Sequence, residues 1–485
     1  MTKYIPIRSI DSSFLEKSIQ LKGWIESVRF SKKTVFVKLY DSWRTHLDPI
    51  QIIFDLTKFS DEQKADISKF SVSCSISVDG ILVSSPKPAQ PFELQASDFM
   101  IYGLIHDPAT FPIAKADLSL DYLRGFPSLE TFSLTKSAIY GIRALIQKSF
   151  EKFFDEEDFT KTDMPIITFS ECEGGCQPLQ VTQHFASGDS KDVPLVEKST
   201  QIDFSKDFFG KKASLTVSAQ LEIETHLPLG KVWTMTRAVR GEPSLTSRHL
   251  AEFSMLELEI PFIESAKDVR DLTERLIQYC IKYVLDDKYG RFALDHLSKK
   301  FSIPIIEKLA GFVAKPFEVI SHRDAVKLLL EKHESGFVTF TKLPDYADDM
   351  GSEHERFLTD VYYKHPVIVT EYPKHVKAFY MPVSGSFITP DGQKVEYVDC
   401  FDILVPCVGE LVGGSARIHQ HDELTKRIKE LGLKLEPLEF YTVLRKYGTQ
   451  KHGGMGLGLE RLISLITFAG SVRDCVAYPR FYQSK

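Results

Sequence analysis

The sequence predicts an α+β protein that starts with a small β-barrel and continues into a larger domain around an antiparallel sheet. Two observations predict this fold. Short apolar runs separated by Ser, Asp, Gly and Pro fill residues 20–104, and from residue 131 helical periodicity alternates with further strand-like runs. The chain has 485 residues, 43% of them hydrophobic and 26% charged, which argues against a disordered chain or a coiled coil and leaves room for two or three domains.

Charge and cysteine content narrow the class of protein. The net charge of −6 lacks the basic excess of a general nucleic-acid coat protein, so any nucleic-acid contact must use a local patch. We expect no membrane-spanning helix and no secretory signal, because the sequence has no sufficiently long apolar run. The seven cysteines predict a reducing, intracellular setting. Cys172 and Cys176 have no partner pair at zinc spacing, which favours structural thiols.

The N-terminal segment has the strand order of an oligonucleotide-binding (OB) type barrel. Strands are predicted at 19–30, 34–41, 50–56, 72–85 and 91–103, with a helix at 61–70 between the third and the fourth. Five strands with a helix after the third is the order of the OB fold, whose open face binds oligonucleotides. Composition alone fits another small barrel equally well.

The remaining chain is predicted to form a linker and one large domain. Three prolines and mixed polarity mark 105–130 as the linker, so the predicted domains are 1–104 and 131–485. Helical spacing predicts helices at 135–154, 265–287 and 457–470, and mostly helix over 290–350. Residues 176–210 are predicted to form an exposed loop. The predicted strands of this domain are 232–240, 251–262, 365–373, 377–383, 393–406 and 410–418.

Alternating glycines mark the most informative segment, HGGMGLGLERLI. Gly454, Gly456 and Gly458 lie in a strand-like stretch that becomes a helix with Glu460 and Arg461. Glycine weakens a strand, so three at period two suggest that a flat ligand lies on this backbone, with Arg461 stacked on it or bound to its phosphates. The alternative is a glycine-rich turn before a core helix. The spacing differs from that of a dinucleotide-binding fingerprint.

A charged hairpin forms the second segment, VRGEPSLTSRHLAEF. Arg240 and Glu242 end one strand, Arg248 and His249 lie in the connection, and Phe253 is on the next strand. Arginine for an α-phosphate and phenylalanine for stacking on a base suit a nucleoside triphosphate. An ordinary charged surface hairpin is the alternative.

Two carboxylates border an apolar strand pair in the third segment, VDCFDILVPCVGELVGGSARI. Asp402 and Glu410, together with nucleotide phosphates, would suit Mg²⁺, and Arg417 follows a Gly-Gly-Ser step that admits a ligand. Taken alone, each carboxylate is equally well explained as an ordinary charged residue at the end of a strand. Glu173, and the polar residues of LTVSAQLEIE interpreted as a strand, suggest the floor of a pocket for a small substrate.

Together and in this order, these segments resemble the three signature motifs of class II aminoacyl-tRNA synthetases. Pro165 resembles motif 1 (around 140–168), which the family associates with its dimer interface. The charged hairpin resembles motif 2 (around 232–261), and GMGLGLER resembles motif 3 (around 453–468). The OB barrel points to the aspartate/asparagine/lysine subgroup. Within it, TSRHLAEF, GELVGGSAR, YPKHVKAFYM and RKYGTQKHGG resemble the bacterial asparagine-specific branch.

The resemblance implies roles for residues that match the motifs. The catalytic residues would be Arg240, Glu242 and Arg461. ATP would be bound by Arg240, Glu242, Arg248, His249, Phe253, Glu410, Gly456, Gly458 and Arg461, and Mg²⁺ by Asp402 and Glu410. The amino acid would be bound by Glu173, Ser218, Gln220, Glu224 and Arg417. The anticodon would be read by Arg29, Phe36, Gln51 and Glu93, with core packing of Phe36 as the alternative.

The choice of amino acid follows from one missing cation. Aspartate-specific relatives carry a lysine three residues after the equivalent of Gln220, and Ile223 stands there in this chain. Arg417 without that lysine suits a neutral amide whose NH₂ group needs an acceptor, for which Glu224 is the candidate. We therefore expect asparagine, ATP and tRNA(Asn) as substrates and a homodimer as the assembly.

Two other functions stay open at this stage. One is an aspartyl or non-discriminating ligase, and the other is a catalytically reduced paralogue. Retention of Arg240, Asp402, Glu410 and Arg461 together argues against the second. The motif 2 strand reads TRAVRGEP where the family has G-P-x-F-R-A-E-N. A bacterial-type sequence that has drifted in this way suits the mitochondrial matrix somewhat better than the cytoplasm.

Overall fold

A computed structural model describes residues 3–86, 90–114, 117–170, 178–186 and 188–484. Its strands are, in chain order, β1 (Lys3–Tyr4), β2 (Ser18–Phe30), β3 (Thr34–Tyr40), β4 (Ile50–Asp55), β5 (Ser75–Ser84), β6 (Phe92–Gly103), β7 (Phe159–Lys161), β8 (Ile167–Thr168), β9 (Gln180–Val181), β10 (Ala213–Leu215), β11 (Lys231–Val239), β12 (Glu252–Pro261), β13 (Glu318–Ser321), β14 (Val367–Thr370), β15 (Val383–Ile388), β16 (Lys394–Val398), β17 (Cys400–Val405), β18 (Gly409–Ala416) and β19 (His452–Gly458).

Helices account for most of the remaining regular structure. They are α1 (Trp43–Leu47), α2 (Asp61–Ile67), α3 (Leu120–Arg124), α4 (Leu134–Glu156), α5 (Gln220–Glu224), α6 (Ala266–Asp286), α7 (Lys288–Phe301), α8 (Ile305–Val313), α9 (His322–Glu334), α10 (Ser352–Arg356), α11 (His421–Glu430), α12 (Glu439–Thr442) and α13 (Leu459–Thr467). A π-helical turn, Phe357–Tyr362, follows α10. Within the described residues, no helix combines the length and apolar character needed to span a lipid bilayer.

The chain divides into two compact units. The first contains the residues up to Leu145 together with Val284–Ile306, and the second contains Ile146–Tyr283 and the residues from Glu307 onwards. In the first unit the strands follow the order β1-β2-β3-β4-β6-β5, and β5 pairs back onto β2, which closes a barrel. Helix α2 follows β4, the third of the five long strands, so the predicted OB-type barrel is confirmed.

Alternation of side chains builds the barrel core. Val35, Val37 and Leu39 on β3 are fully buried, whereas Phe36 is half-buried and Lys38 is exposed. Successive side chains of a strand point to opposite faces, so the first set fills the barrel and the second lies on its outer face. The barrel interior is an apolar cluster drawn from all five long strands.

An eight-stranded sheet organises the second unit. Its strand order is β13-β14-β17-β18-β19-β12-β11-β7, with antiparallel pairing inside and parallel pairing only at the two edges, β13–β14 and β11–β7. The predicted α+β class around an antiparallel sheet is confirmed. Buried residues on α6 recur at helical spacing, among them Val269, Leu276 and Cys280, in agreement with the predicted amphipathic helix.

Two segments differ from the predicted secondary structure. Residues 377–382 form no strand, and β15 begins only at Val383, because the Lys377 side chain pairs with Asp402 and the Phe379 and Tyr380 rings are buried in an apolar cluster. The stretch predicted as a strand over 215–224 contains helix α5, which places Gln220 and Glu224 one turn apart on the same side. The predicted linker 105–130 contains the short helix α3.

Candidate active site

A row of directly paired residues crosses five strands of the large sheet. Thr234, Glu257, Gly456, Gly413 and Asp402 lie side by side on β11, β12, β19, β18 and β17. Paired residues of an antiparallel ladder project from the same face. The two glycines at the centre of the row therefore leave a strip of bare backbone between Glu257 and Asp402.

A side chain would meet different surroundings at the three alternating glycines of β19. A Cβ on Gly456 would lie 3.4 Å from its nearest neighbour, the Met255 sulfur, and a Cβ on Gly458 would lie 3.7 Å from the Arg461 side chain. A Cβ on Gly454 would overlap the Glu259 carboxylate and the Leu258 carbonyl. The predicted open backbone therefore holds at Gly456 and Gly458, whereas Gly454 makes room for a carboxylate of the protein itself.

One cavity collects most of the predicted ATP-binding residues. It is lined by Arg240, Glu242, Arg248, His249, Leu250, Phe253, Gly458, Glu460, Arg461 and Val472. The Arg240 guanidinium lies 5.4 Å from the centre of the Phe253 ring, so a cation and an aromatic ring share one wall. Glu460 accepts a hydrogen bond of 3.0 Å from the Ser254 amide and thereby ties α13 to β12. Arg240 and Arg461, which are 221 positions apart in the chain, thus face one cavity.

The electrostatic character of this cavity is cationic. Burial lowers the pKa of His249, and the neighbouring guanidinium groups of Arg461, Arg248 and Arg240 lower it further against the opposing effect of Glu242. His249 is therefore neutral near pH 7, and its Nδ1 lies 3.0 Å from the Ser244 hydroxyl. Three arginines in one cavity suit a polyphosphate.

Arg248 has a protein partner that the sequence analysis missed. Its Nη1 donates to the Glu355 carboxylate at 2.9 Å and to the Val408 carbonyl at 3.1 Å. Glu355 belongs to α10, more than 100 residues away, and no spacing pattern connects it to motif 2. This ion pair fixes the guanidinium at the edge of the cavity.

The two predicted metal ligands converge over Gly413. A Cβ at Gly413 would lie 3.4 Å from a Glu410 carboxylate oxygen and 3.6 Å from one of Asp402. Two carboxylates that converge over bare backbone fit a hard divalent cation, which prefers oxygen ligands. Arg461 Nη1 donates to the Glu410 backbone carbonyl at 2.7 Å and lies 3.7 Å from its carboxylate, which links this pair to the nucleotide cavity.

Lys377 is a further member of this carboxylate group. Its ammonium lies 2.5 Å from an Asp402 oxygen and 3.8 Å from the centre of the Tyr372 ring. Burial raises the pKa of Asp402, Lys377 opposes that rise and Glu410 adds to it, and together they bring the pKa to about 7. Lys377 is in the segment predicted as a strand, and the inward turn of that segment brings it here.

A buried polar network lies at the Gly454 end of the sheet face. Arg417 donates from Nε and Nη2 to the two oxygens of Glu259 at 3.3 and 3.2 Å, and from Nη1 to Ser415 at 2.6 Å. The Gln220 amide donates to Glu259 at 2.7 Å. Burial raises the pKa of Glu259 and Arg417 opposes that rise. Because these donors point at both of its oxygens, we treat Glu259 as a carboxylate.

Glu224 belongs to the same network and is bound by residues that the sequence analysis missed. Its Oε2 accepts from Arg445 at 2.7 Å and lies 3.0 Å from His452 Nε2, and its Oε1 accepts from the Tyr441 hydroxyl at 3.0 Å. Arg417 Nε is 3.6 Å from that Oε1. Arg445 and Tyr441 come from the segment just before β19, and their charged and polar groups carry no spacing signal that points to Glu224.

Two of the other predicted amino-acid ligands, Ser218 and Gln220, contact buried carboxylates of the protein. The Ser218 hydroxyl donates to Glu257, and the Ala219 amide donates to the same carboxylate at 3.1 Å, so Glu257 anchors the turn before α5. Gln220 contacts Glu259 as described. Glu173, with Cys172 and Cys176, lies outside the described residues.

The predicted anticodon residues share the outer face of the barrel. Arg29 pairs directly with Phe36 across β2 and β3, and Gln51 pairs with Glu93 across β4 and β6. Gln51 Nε2 donates to the Glu93 carboxylate at 3.3 Å. Phe36 lies on the face opposite to the core residues Val35 and Val37, so core packing does not account for it.

The arginine-lined cavity and the carboxylate pair over bare backbone suit a nucleotide-dependent enzyme, and comparison with known proteins gives the family. The model of the family described as tRNA synthetases class II (D, K and N) matches residues 126–482. The chain belongs to this family. The predicted class II resemblance and enzyme class are thereby confirmed.

Individual relatives within this family carry a more specific name. The chain is 36% identical over 483 residues to the asparagine–tRNA ligase of Photobacterium profundum, with 98% of each chain covered. It is 38% identical over 486 residues to that of Clostridium beijerinckii, covering 99% of this chain and 98% of the relative. Among solved structures it is similar to asparaginyl-tRNA synthetase from Pyrococcus horikoshii complexed with asparaginyl-adenylate, with a TM-score of 0.81, 26% identity and coverage of 100% and 99%.

Proposed function

We propose that the protein ligates asparagine to tRNA(Asn) with ATP, through an asparaginyl-adenylate. The observation that carries the proposal is the arrangement along β19: the arginine-lined cavity lies at Gly458, bare backbone at Gly456, and the buried network of Glu259, Arg417 and Glu224 beside Gly454. At a rise of about 3.4 Å per residue these points span roughly 14 Å. That length suits a nucleotide at one end and an amino-acid side chain at the other.

In the first step, the asparagine carboxylate attacks the α-phosphorus of ATP. A carboxylate oxygen–phosphorus bond forms, the bond from the α-phosphorus to the bridging oxygen breaks, and pyrophosphate leaves. Arg240 stabilises the charge that develops on the α-phosphate, while Phe253 and Arg461 hold the adenine between them. Glu242 lies beside Arg240, and Arg248 and His249 would meet the terminal phosphates.

A divalent cation belongs to this step, and we propose Mg²⁺. Asp402 and Glu410 would hold it, and it would supply charge neutralisation for the phosphates. Arg461 donates to the Glu410 backbone carbonyl at 2.7 Å and lies 3.7 Å from its carboxylate, so it holds the Glu410 end of this pair beside the nucleotide cavity.

Asparagine is selected by the Arg417–Glu224 pair. The described contacts of Arg417 use three of its five N–H donors, which leaves donors for a side-chain carbonyl. The amide NH₂ group would donate to Glu224. Ile223, at the position where aspartate-specific relatives carry lysine, is fully buried in an apolar cluster with Leu227 and Val232. The pocket therefore gains no further cation from that position.

The second step transfers the asparaginyl group to tRNA. The 3′-terminal ribose hydroxyl attacks the acyl carbonyl and AMP leaves, and positioning supplies most of the acceleration. The barrel face with Arg29, Phe36, Gln51 and Glu93 would read the anticodon.

We further propose a homodimer formed through motif 1. The asparagine–tRNA ligases of Photobacterium profundum and Clostridium beijerinckii are bacterial and give no support for the mitochondrial matrix over the cytoplasm, so both compartments stay proposed.

The Arg240→Ala variant tests the assignment of the cavity. We expect asparagine-dependent ATP–pyrophosphate exchange to fall by about 10²–10³-fold, because the developing phosphate charge loses its guanidinium. Affinity for tRNA should stay near that of the wild type. Arg237→Ala is the matched control, because Arg237 is on the same strand, half exposed, and pairs only loosely with Glu252 at 3.9 Å.

A panel of all twenty amino acids in the same exchange assay tests the substrate. Asparagine should be activated far better than aspartate. Equal activation of both would replace the proposal with a non-discriminating ligase, and near-normal exchange by Arg240→Ala would refute the cavity assignment.

A further inference from the structure

Arg445 is a fully enclosed guanidinium whose contacts all lie inside the protein. It is 5% exposed, and its Nε and Nη1 donate to the carbonyls of Ile418 and Tyr441, both at 3.1 Å. Its Nη2 reaches Glu224 at 2.7 Å, and the guanidinium stacks 3.9 Å from the centre of the Tyr441 ring. Glu224 is 2% exposed. Arg445 and Glu224 therefore form an ion pair that the protein encloses.

A relay of donors fixes the orientation of Glu224. Arg445 Nη2 donates to the Tyr441 hydroxyl at 2.8 Å, which leaves that hydroxyl to donate its own proton to Glu224 Oε1 at 3.0 Å. Oε2 is occupied by Arg445 and faces His452. What remains of Glu224 for a ligand is the side of Oε1 that faces Arg417 and Gln220, at 3.6 and 3.5 Å.

Arg445 is the strongest single support for the charge of Glu224. The two buried glutamates, Glu224 and Glu259, are surrounded by Arg417, Arg445 and His452, and Arg445 makes the shortest contact with Glu224, at 2.7 Å. Burial would raise the pKa of Glu224, but Arg445, His452 and Arg417 outweigh it and lower the pKa to about 2. A neutral amide adds no charge beside Glu224, whereas a further carboxylate would lie next to a buried carboxylate of the same sign and be repelled by it.

We propose that Arg445 is the positioning residue that makes this pocket prefer a side-chain amide to a carboxylate, by holding Glu224 as a charged, oriented acceptor. The inference rests on the proposed function and extends it to a residue outside the three signature motifs. Without Arg445, Glu224 loses its closest cation, so burial shifts it towards the protonated form, which presents an O–H donor to the substrate. A donor opposes the NH₂ group of asparagine and suits the carboxylate of aspartate.

The test is a double-mutant cycle in ATP–pyrophosphate exchange, with asparagine and aspartate measured separately. In Arg445→Met, kcat/KM for asparagine should fall by about tenfold or more, mainly through KM, and the asparagine-to-aspartate ratio should fall at least as far. In the Glu224→Gln background, the same Arg445→Met change should cost less than about threefold, because no charge is left to hold.

Two further variants separate this role from a structural one. Arg445→Lys keeps the charge and should retain a larger part of the preference than Arg445→Met. Arg427→Met is the matched control: Arg427 is another largely buried arginine, bonded to the Lys374 carbonyl at 3.1 Å, and it should leave the ratio unchanged. Costs of Arg445→Met and Glu224→Gln that simply multiply would overturn the proposal, as would an unchanged ratio in a folded Arg445→Met.

Loss of folding in Arg445→Met also gives a decisive outcome. The Arg445→Met, Glu224→Gln double variant should then recover a folded protein, because the buried carboxylate that lost its closest cation is gone. Failure of the double variant to fold would contradict the charge-pair argument. A wild-type enzyme without asparagine-dependent exchange would refute the proposed function itself, whatever the variants do.

Discussion

Gly454 and Gly456 are two residues apart on the same face of β19, yet a methyl group at each would meet different surroundings. At Gly454 it would overlap backbone and a carboxylate, whereas at Gly456 its nearest neighbour would be 3.4 Å away. We expect Gly454→Ala to lower the free energy of unfolding by about 2 kcal/mol or more. Gly456→Ala should leave stability unchanged or raise it by up to about 1 kcal/mol, since glycine weakens a strand.

Enzyme activity should show the reverse order: Gly456→Ala, which is expected to be stable, should bind ATP less well. If the nucleotide lies on the backbone at Gly456, the added methyl group should raise the KM for ATP by about tenfold in Gly456→Ala, a cost near 1.4 kcal/mol. Urea unfolding and ATP–pyrophosphate exchange measure the two effects. An unchanged KM in a stable Gly456→Ala would remove the ligand-based reason for this glycine.

Single residues were predictable where chemistry and spacing coincide within one segment. Arg240, Glu242, Arg248, His249 and Phe253 all come from one hairpin, and the cavity contains all of them. The partners Glu355, Lys377, Arg445 and Tyr441 were not predictable, because each is at least 25 residues along the chain from the side chain that it binds. Buried ion pairs of this kind depend on contacts that no local pattern records.

At the scale of elements, strand β3 presents opposite faces to the core and to the outside of the barrel. If its outer face stacks on an anticodon base, Phe36→Ala should lower kcat/KM for aminoacylation of tRNA by about tenfold, the cost of one lost stacking contact. ATP–pyrophosphate exchange, which needs no tRNA, should be unaffected. Tyr102→Ala serves as control, since Tyr102 is an exposed aromatic residue on β6. An equal loss in both variants would count against a specific role for Phe36.

The sequence predicted helices and strands correctly where the periodic pattern is long, and wrongly where tertiary contacts override it. The five barrel strands and α6 match their patterns. The apolar run 377–383 has strand composition, but the Lys377–Asp402 pair and burial of two aromatic rings turn it out of the sheet. The 215–224 segment similarly bends into α5 once Glu257 accepts from Ser218 and Ala219.

At the scale of the whole molecule, exposed apolar residues near motif 1 allow a test of the proposed homodimer. Ile166 and Phe169, which flank strand β8, are 50% and 46% exposed, and apolar side chains on a surface favour association. Light scattering should give a mass about twice the 55.1 kDa of one chain. The double variant Ile166→Asp, Phe169→Asp should give the mass of one chain, whereas Phe337→Asp, at another exposed apolar residue, should stay dimeric. A dimer that survives the double variant would place the interface elsewhere.

Stability of the whole chain should fall in mild acid. Burial lowers the pKa of His322 to about 4, with help from Lys377, and burial together with His296 does the same for His46. Each contribution is complete above the unfolded pKa near 6.5 and is lost as the pH falls towards 4, because only the unfolded chain takes up the proton. At pH 5 the loss is about 2 kcal/mol per histidine.

The His322→Phe variant isolates one of these contributions. Both ring nitrogens of His322 are buried without a hydrogen-bond partner among the described residues, so phenylalanine replaces it without breaking a contact of that kind. The drop in unfolding free energy between about pH 7.5 and 5, measured by urea denaturation, should shrink by about 2 kcal/mol. His375→Gln, at an exposed histidine, should show the full drop. The same drop in His322→Phe would contradict the assignment.

The sequence by itself determined the fold class, the barrel and the residues of the three signature motifs, because alternation, helical spacing and turn residues act over short stretches of chain. Only the tertiary structure decided which residues surround Glu224, why Gly454 and Gly456 differ, and how Lys377 reaches Asp402. Those outcomes depend on burial: removing charges from water forces them to find partners, and the partners are chosen by the packing of segments that are far apart in the chain.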